Sequence, residues 1–115
     1  MISGVGIDII EVSRISELIS AGDKFLSRNF SAAEIEYFSR NSAIRAETVA
    51  GNFAAKEAFA KALGTGFRGF GLIDIEVLRN QLGAPHIVFR GEQSSAQVSI
   101  SHTKTTAVAV VIMTE

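Results

Sequence analysis

Two carboxylates in unusual settings are the residues of this chain best suited to chemistry. The first, Glu57, lies in the stretch Phe53-Ala-Ala-Lys-Glu-Ala-Phe-Ala-Lys61, which predicts a helix because alanine, lysine and glutamate favour helix. At 3.6 residues per turn, Phe53, Glu57 and Lys61 share one stripe, so Glu57 is expected among apolar side chains and needs a partner. A purely structural Glu57–Lys61 pair, worth about 0.2–0.5 kcal/mol on an exposed helix, is the simpler interpretation from spacing alone.

The second carboxylate, Asp8, lies in the opening segment Gly4-Val-Gly-Ile-Asp-Ile-Ile10. Alternation predicts a strand over residues 2–12, with Asp8 on the face of the two glycines and Ile7 on the opposite face. Aspartate is depleted in strands, and the glycines remove side chains around it, which predicts open space there. Asp8 is therefore either a cap for the following turn or a ligand or base at the floor of a cleft.

The elements that position these carboxylates follow from helix caps and hydrophobic periodicity. Ser13 is a plausible N-cap for a helix over residues 14–20, and residues 23–30 are predicted to form a polar connection. Ser31-Ala-Ala-Glu34 is a capping box that opens a second helix through residue 40. The longest helix is predicted over residues 43–63, with Gly64 as its C-cap.

The second half of the chain predicts a glycine-rich loop followed by strands. Residues 64–71 contain four glycines, but they follow a helix, so they are interpreted as a flexible lid or wall and not as a phosphate loop. Strands are predicted over residues 73–78, 86–89, 97–102 and 106–113. The last strand is apolar on both faces, so both faces are expected to be covered.

Length and order of elements predict the fold class. The 115 residues are expected to form one domain, residues 1–115. One opening strand, helices in the middle and closing strands predict an α+β fold, in which an antiparallel sheet carries helices on one side.

Composition excludes several function classes. Eleven Lys+Arg against twelve Asp+Glu give a formal net charge of -1, so no overall charge attracts nucleic acid or an anionic membrane. The chain has no cysteine, which excludes disulfides, thiol nucleophiles and thiolate metal sites. No apolar run reaches membrane-spanning length and the N-terminus lacks the positive start of a signal peptide, so a cytoplasmic location is the simplest expectation.

Three segments taken in order resemble the phosphopantetheinyl transferases. They are the Gly-x-Asp of the first strand, the Lys56-Glu57 helix motif with Lys61 four residues beyond the glutamate, and Val98-Ser-Ile-Ser-His-Thr103. The resemblance covers nearly the whole chain and implies the phosphopantetheinyl transferase-like fold of the short, trimeric branch. The longer branch often has an acidic residue two positions beyond the aspartate, where this chain has Ile10, so no third protein carboxylate is expected there.

The resemblance implies a reaction and a metal. The phosphopantetheine arm of coenzyme A would be transferred to a serine of apo acyl carrier protein, with adenosine 3',5'-bisphosphate as the other product, in fatty acid and lipid biosynthesis. Mg²⁺ would be held by Asp8 and Glu57, and Asp8, Glu57 and Lys61 would be the catalytic residues. The acceptor of the serine proton stays open between a metal-bound water and Glu57.

The resemblance also assigns contacts to coenzyme A. Lys61 would bind a phosphate as a mobile point charge, and Ser101, His102 and Gly64 would contact the coenzyme. His102 has an ordinary alternative, a hydrogen-bonded histidine at a strand end. Lys56 is expected either to pair with acidic neighbours of Glu57 or to hold the phosphates from another side.

Partner surfaces are implied in the same way. Arg14, Lys24, Arg28 and Arg45 would face an acidic carrier protein, although acidic residues are interspersed and ordinary solvated charge is the alternative. The resemblance implies a homotrimer with active sites between subunits, and the doubly apolar last strand independently supports burial at an interface.

Two other function classes stay open. The chain could be a non-catalytic nucleotide- or coenzyme-binding module that kept the fold, or a small structural trimer in which Glu57 and Lys61 form only a helix pair. The presence of both Asp8 and Glu57 disfavours the binding module, because a pure binder needs no paired metal ligands.

Overall fold

The computed structural model describes the whole chain, residues 1–115. The strands are β1 (Ile2–Glu11), β2 (Ile75–Arg79), β3 (Pro85–Phe89), β4 (Glu92–Gln93), β5 (Gln97–His102) and β6 (Thr106–Thr114). The helices are α1 (Val12–Ser20), α2 (Lys24–Asn29), α3 (Ala32–Phe38) and α4 (Ala46–Leu63), and a 3₁₀ turn (Leu72–Asp74) precedes β2.

The strands form two antiparallel three-stranded sheets, with the orders β1-β6-β5 and β2-β3-β4. The predicted α+β class with antiparallel strands and packed helices is confirmed, but the strands divide between two sheets where one was expected. The reason lies in α4, in which twelve of eighteen residues are buried. A helix that is apolar nearly all round must be covered on more than one side, and one sheet cannot do this alone.

Helix α4 packs unusually close to β1 at the two glycines before Asp8. A Cβ atom on Gly4 would lie 2.0 Å from the carbonyl oxygen of Ala62, and one on Gly6 would lie 1.8 Å from that of Ala58. The prediction of open space beside Asp8 is therefore wrong, because the backbone of α4 fills it. The absence of side chains at these positions serves helix packing, and it brings the second half of α4 against the strand that carries Asp8.

The opposite face of β1 is apolar and uncovered within the chain. Val5, Ile7 and Ile9 are 59%, 60% and 69% exposed. The face of β6 beside them carries the half-buried Val108 and Val110. The other face of β6 packs on α4, so one of the two faces expected to be covered is covered within the chain.

Several predicted boundaries differ from those observed. The predicted polar connection over residues 23–30 contains α2, because Leu26 and Phe30 are buried and Phe25 packs against the core. Helix α1 begins directly after β1, with Glu11 at the cap position, so Ser13 lies inside the helix. Helix α3 ends at Phe38 and α4 begins at Ala46, both shorter than predicted.

Two predicted caps are confirmed. Ser31 and Glu34 form the capping box, in which the Glu34 N–H donates to Ser31 Oγ at 3.2 Å and the Ser31 N–H donates to Glu34 Oε1 at 3.1 Å. Gly64 ends α4 in the left-handed region at φ 80°, which favours glycine. None of the four helices combines the length and the apolar character required to cross a bilayer.

Candidate active site

Asp8 and Lys61 meet at the edge of the first sheet. Lys61 Nζ lies 3.1 Å from Asp8 Oδ1 and donates to the carbonyl oxygen of Ile7 at 2.9 Å. The Lys61 side chain is 56% exposed and that of Asp8 is 18% exposed, so the ammonium group can leave this pair for a bound anion. A groove of about 330 Å³ opens beside them, lined by Ile7, Asp8, Ile9, Lys61 and Val108.

Glu57 lies one turn before Lys61 on α4 and is half-buried. Burial raises the pKa of Glu57, and the charge of Asp8 raises it further, whereas Lys61 and Arg14 oppose the shift. The two carboxylates from β1 and α4 therefore lie close enough to interact. Arg14 of α1 stands close to the same cluster, which its sequence context did not indicate.

These two carboxylates fit a hard divalent cation by the chemistry of their donor set. Mg²⁺ in phosphate-handling sites takes one or two protein carboxylates, and phosphate oxygens and waters complete its octahedron. The chain has no group of three or more His, Cys, Asp or Glu residues that could hold a metal ion, so the protein offers two ligands here and no closed cage. Burial is the main cause of the raised pKa of Glu57, and repulsion by Asp8 adds to it. A cation between the two carboxylates would relieve that repulsion.

The glycine-rich segment after α4 is fastened at its far end. Phe70 packs edge-on against Phe89 with ring centroids 5.1 Å apart, and the Arg90 guanidinium donates to the carbonyl oxygen of Gly69. Gly64 and Gly66 both have positive φ, so the chain turns sharply where it leaves the helix. Gly64 caps α4 about one turn beyond Lys61. It therefore lies at the end of the helix that is nearer to Asp8.

Ser101 and His102 lie apart from the Asp8 cluster within one chain. They end β5, which β6 separates from β1, a distance of about 10 Å across the strands. The pKa of Glu47 is lowered by a bond to its own backbone N–H and also by Arg45 and His102, which places His102 near the first turn of α4. Glu57 lies ten residues beyond Glu47 on α4, which is roughly 15 Å along the helix axis.

The four basic residues assigned to a partner are all exposed. Arg45 pairs with Glu47 at 3.4 Å, whereas Arg14, Lys24 and Arg28 form no ion pair within the chain. Lys24 and Arg28 line a surface cavity of about 540 Å³, whose other walls include apolar side chains of α1 and α2.

Lys56 differs from both sequence-based expectations. It is fully buried and lies 2.6 Å from Glu34, which is also fully buried, so it can reach neither the neighbours of Glu57 nor a phosphate. Sequence reasoning missed this pair because Glu34 already had a local explanation in the capping box. No local signal in the sequence links two residues that are 22 positions apart.

Comparison with known proteins identifies the family to which the chain belongs. Residues 4–112 match the 4'-phosphopantetheinyl transferase superfamily. The holo-[acyl-carrier-protein] synthase of Clostridium botulinum (strain Alaska E43 / Type E3) is 47% identical over 121 residues, covering 98% of each chain. The chain therefore belongs to the 4'-phosphopantetheinyl transferase superfamily and is a transferase, as its motifs predict.

Solved structures narrow the resemblance within the superfamily. A holo-(acyl-carrier-protein) synthase from Bacillus anthracis str. Ames, in complex with CoA (3',5'-ADP), has a TM-score of 0.83 at 40% identity and covers 97% of this chain and 96% of that one. The holo-[acyl-carrier-protein] synthase from Neisseria meningitidis has a TM-score of 0.86 at 31% identity, with 100% of both chains covered. The resemblance to the short branch of the family and the predicted fold class are thus confirmed.

Proposed function

We propose that this protein transfers the phosphopantetheine arm of coenzyme A to a serine hydroxyl of apo acyl carrier protein. Adenosine 3',5'-bisphosphate leaves, and the serine proton passes to a base in the site. The observation that carries the proposal is the meeting of Asp8, Glu57 and Lys61, which brings two carboxylates and a mobile ammonium group to one open groove. Relatives named for this reaction, and the complex of one of them with coenzyme A, support it.

Asp8 and Glu57 are the residues that would hold Mg²⁺. When bound, the cation would neutralise charge on the diphosphate and on the leaving phosphate, which is most of what phosphoryl transfer requires of a site. Glu57 must be ionised for this task, and its raised pKa means that it gives up its proton less readily than an ordinary glutamate does. As the pH falls, transfer is therefore expected to be lost at a higher pH than the ordinary glutamate pKa would predict.

Lys61 is suited to orienting the diphosphate. Its ammonium group is held at rest by Asp8 and by the Ile7 carbonyl, and its exposed, flexible side chain can turn to a phosphate oxygen. Because the phosphate would replace Asp8 as the anionic partner, the positive charge of Lys61 stays compensated in both positions. Gly64, one turn beyond, is proposed to line the path of the pantetheine arm.

The surface that bears Lys24 and Arg28 is proposed to bind the carrier protein. These two cations lack acidic partners within the chain and flank a cavity that also contains Leu18 and Phe25. Apolar anchors surrounded by unpaired positive charge suit an acidic helical partner. The charge of Arg14 acts on Glu57, so Arg14 is proposed to guide the acidic carrier toward the carboxylates.

We further propose that the active protein is a homotrimer with sites between subunits. The uncovered face of β1 and β6 is apolar and continuous, and patches of this kind mark interfaces. Ser101 and His102 are too far from Asp8 to join it within one chain, so a neighbouring chain would bring its own pair to the coenzyme. This assembly would complete a site whose parts are otherwise divided.

One assay tests the reaction directly. Purified protein is mixed with apo acyl carrier protein, coenzyme A and Mg²⁺, and the carrier is weighed by mass spectrometry. The expected result is a carrier heavier by one phosphopantetheine, with no loading when a chelator replaces Mg²⁺. A carrier of unchanged mass, where an authentic synthase loads it, would overturn the proposal.

Matched variants assign the residues and separate the alternatives. Asp8→Asn and Glu57→Gln are expected to lower turnover by at least about a hundredfold, whereas Glu36→Gln on the exposed side of α3 should leave it unchanged. A binding module would retain coenzyme A without loading the carrier, and a purely structural trimer would do neither. Full turnover in either Asp8→Asn or Glu57→Gln would contradict the metal assignment.

A further inference from the structure

A single buried ammonium group joins three separate segments of the chain. Lys56 Nζ donates to the carbonyl oxygen of Asn29 at 2.6 Å, to Glu34 Oε1 at 2.6 Å and to the carbonyl oxygen of Leu72 at 3.2 Å. Its acceptors lie at the end of α2, in the first turn of α3 and at the start of the 3₁₀ turn. Lys56 lies 4.4 Å from the ring centroid of Phe30 as well. All three segments are therefore fastened to α4 at one point.

The pair that Lys56 forms with Glu34 is fully hydrogen-bonded. The second carboxylate oxygen of Glu34 accepts from Asn52 Nδ2 at 3.2 Å and from the Val77 N–H at 3.2 Å. Burial nevertheless raises the pKa of Glu34 and lowers that of Lys56, because both charges have left water. Since packed apolar side chains can replace such a pair at little or no cost, stability alone gives a weak reason for it.

Helix α2 is the segment that depends most on this anchor. It has six residues, and isolated helices shorter than about 12–15 residues are marginal in water. The last carbonyls of a helix have no partner within it, and Lys56 supplies the partner for that of Asn29. The exposed side of this helix carries Lys24 and Arg28.

We propose that Lys56 is a positioning residue. It holds α2, and with it the proposed carrier-binding surface, in a fixed position relative to α4, the helix that carries Glu57 and Lys61. Lys56 and Glu57 are consecutive on α4, so their side chains leave the helix about 100° apart. One turn of α4 thus fastens α2 on one side and presents Glu57 toward Asp8 on the other. The inference rests on the proposed function, since the consequence of misplacing α2 would be weaker use of the carrier.

The test is the double variant Lys56→Met with Glu34→Gln. Methionine fills a similar space without charge. Glutamine keeps one acceptor oxygen for Asn52 and Val77, while its NH2 group replaces the oxygen that accepts from the Ser31 N–H, so the core stays neutral and loses only that cap bond in addition. The variant removes the bonds to the Asn29 and Leu72 carbonyls. The KM for the carrier is expected to rise about tenfold, while the KM for coenzyme A and the kcat at saturating carrier stay within about twofold.

Asn52→Ala is the matched control. Asn52 lies one turn earlier on α4, is fully buried and bonds the same Glu34, but it forms no hydrogen bond to α2. This variant disturbs the network while leaving both carbonyl bonds of Lys56, so its carrier KM should stay within about twofold of wild type. A general loss of stability would affect both variants. A carrier KM that rises in the double variant but not in Asn52→Ala therefore cannot result from lost stability alone.

Hydrogen exchange gives a readout that does not depend on activity. Backbone amides of residues 24–30 should exchange faster in the double variant and at the wild-type rate in Asn52→Ala, with β1 and β6 unchanged in both. An unchanged carrier KM in the double variant, or the same rise in Asn52→Ala, would overturn the inference. If the wild-type protein fails to load the carrier, the proposed function fails, and wild-type exchange of α2 in the double variant would separately refute the anchor.

Discussion

Gly6→Ala probes the contact that brings α4 to the strand of Asp8. The added Cβ would lie 1.8 Å from the carbonyl oxygen of Ala58 and 2.8 Å from the backbone nitrogen of Ala62. Both atoms belong to helix backbone, so neither can turn aside as a side chain would. Relief requires α4 and β1 to separate.

The structure sets the size of that separation. Real Cβ contacts are essentially never shorter than 3.0 Å, so the helix must withdraw by about 1.2 Å at Ala58, one residue after Glu57. The ion pair between Lys61 and Asp8, now 3.1 Å, lies across the same gap. A misplacement of about 1 Å can cost a hundredfold in rate, and overpacking of a core costs typically 1–3 kcal/mol.

Carrier loading by mass spectrometry measures the rate, and circular dichroism measures the melting temperature. Gly6→Ala is expected to lower turnover by about a hundredfold and to lower the melting temperature by roughly 4 °C or more for each kcal/mol lost. Turnover is measured well below the melting temperature of the variant, so that the chain is folded in both assays.

Gly71→Ala is the matched control. Gly71 has φ −125°, and an added Cβ would meet nothing within 4 Å, so both rate and stability should match wild type. Gly6→Ala with wild-type turnover and melting temperature would refute the close packing of α4 on β1 as the feature that positions Asp8.

Three further perturbations test the electrostatics and the assembly. The native state binds the Glu57 proton more tightly than the unfolded chain does, because the pKa of Glu57 is raised in the fold. The stability that this protonation contributes is lost as the pH rises through the raised pKa. In metal-free buffer Glu57→Gln should therefore melt at a higher temperature than wild type at pH 8, and at the same temperature when the pH is below the ordinary glutamate pKa of 4.5. A lower melting temperature of the variant at pH 8 would contradict the raised pKa of Glu57. Arg14→Ala should weaken carrier binding more at low salt than at high salt, because its charge acts through solvent, and a loss independent of ionic strength in titration calorimetry would count against its guiding role. Val5→Asp on the 59% exposed outer face of β1 should break the proposed trimer in sedimentation equilibrium, whereas Leu82→Asp at a 95% exposed hairpin tip should not. A trimer that stays intact in both variants would show that this face is not its interface.

The sequence contained most of what is local in this fold. The spacing of Phe53, Glu57 and Lys61 predicted one stripe of a helix, and the observed α4 has Phe53 buried, Glu57 half-buried and Lys61 exposed along it. The capping box at Ser31 and the C-cap at Gly64 were also readable, because each depends on contacts within four residues. The helix α2 was missed because its six residues are too short to show a clear period.

Contacts between distant residues were decided only in the folded chain. Motif resemblance pointed to Asp8 and Glu57, but periodicity could not show that Lys61, 53 positions after Asp8 in the chain, would pair with it. The glycines beside Asp8 predicted empty space, and folding filled that space with the backbone of α4. The sequence by itself determined the periods and caps of the elements, since these depend on near neighbours. Tertiary packing alone decided which charges meet, because that choice depends on how helices and sheets exclude water from one another.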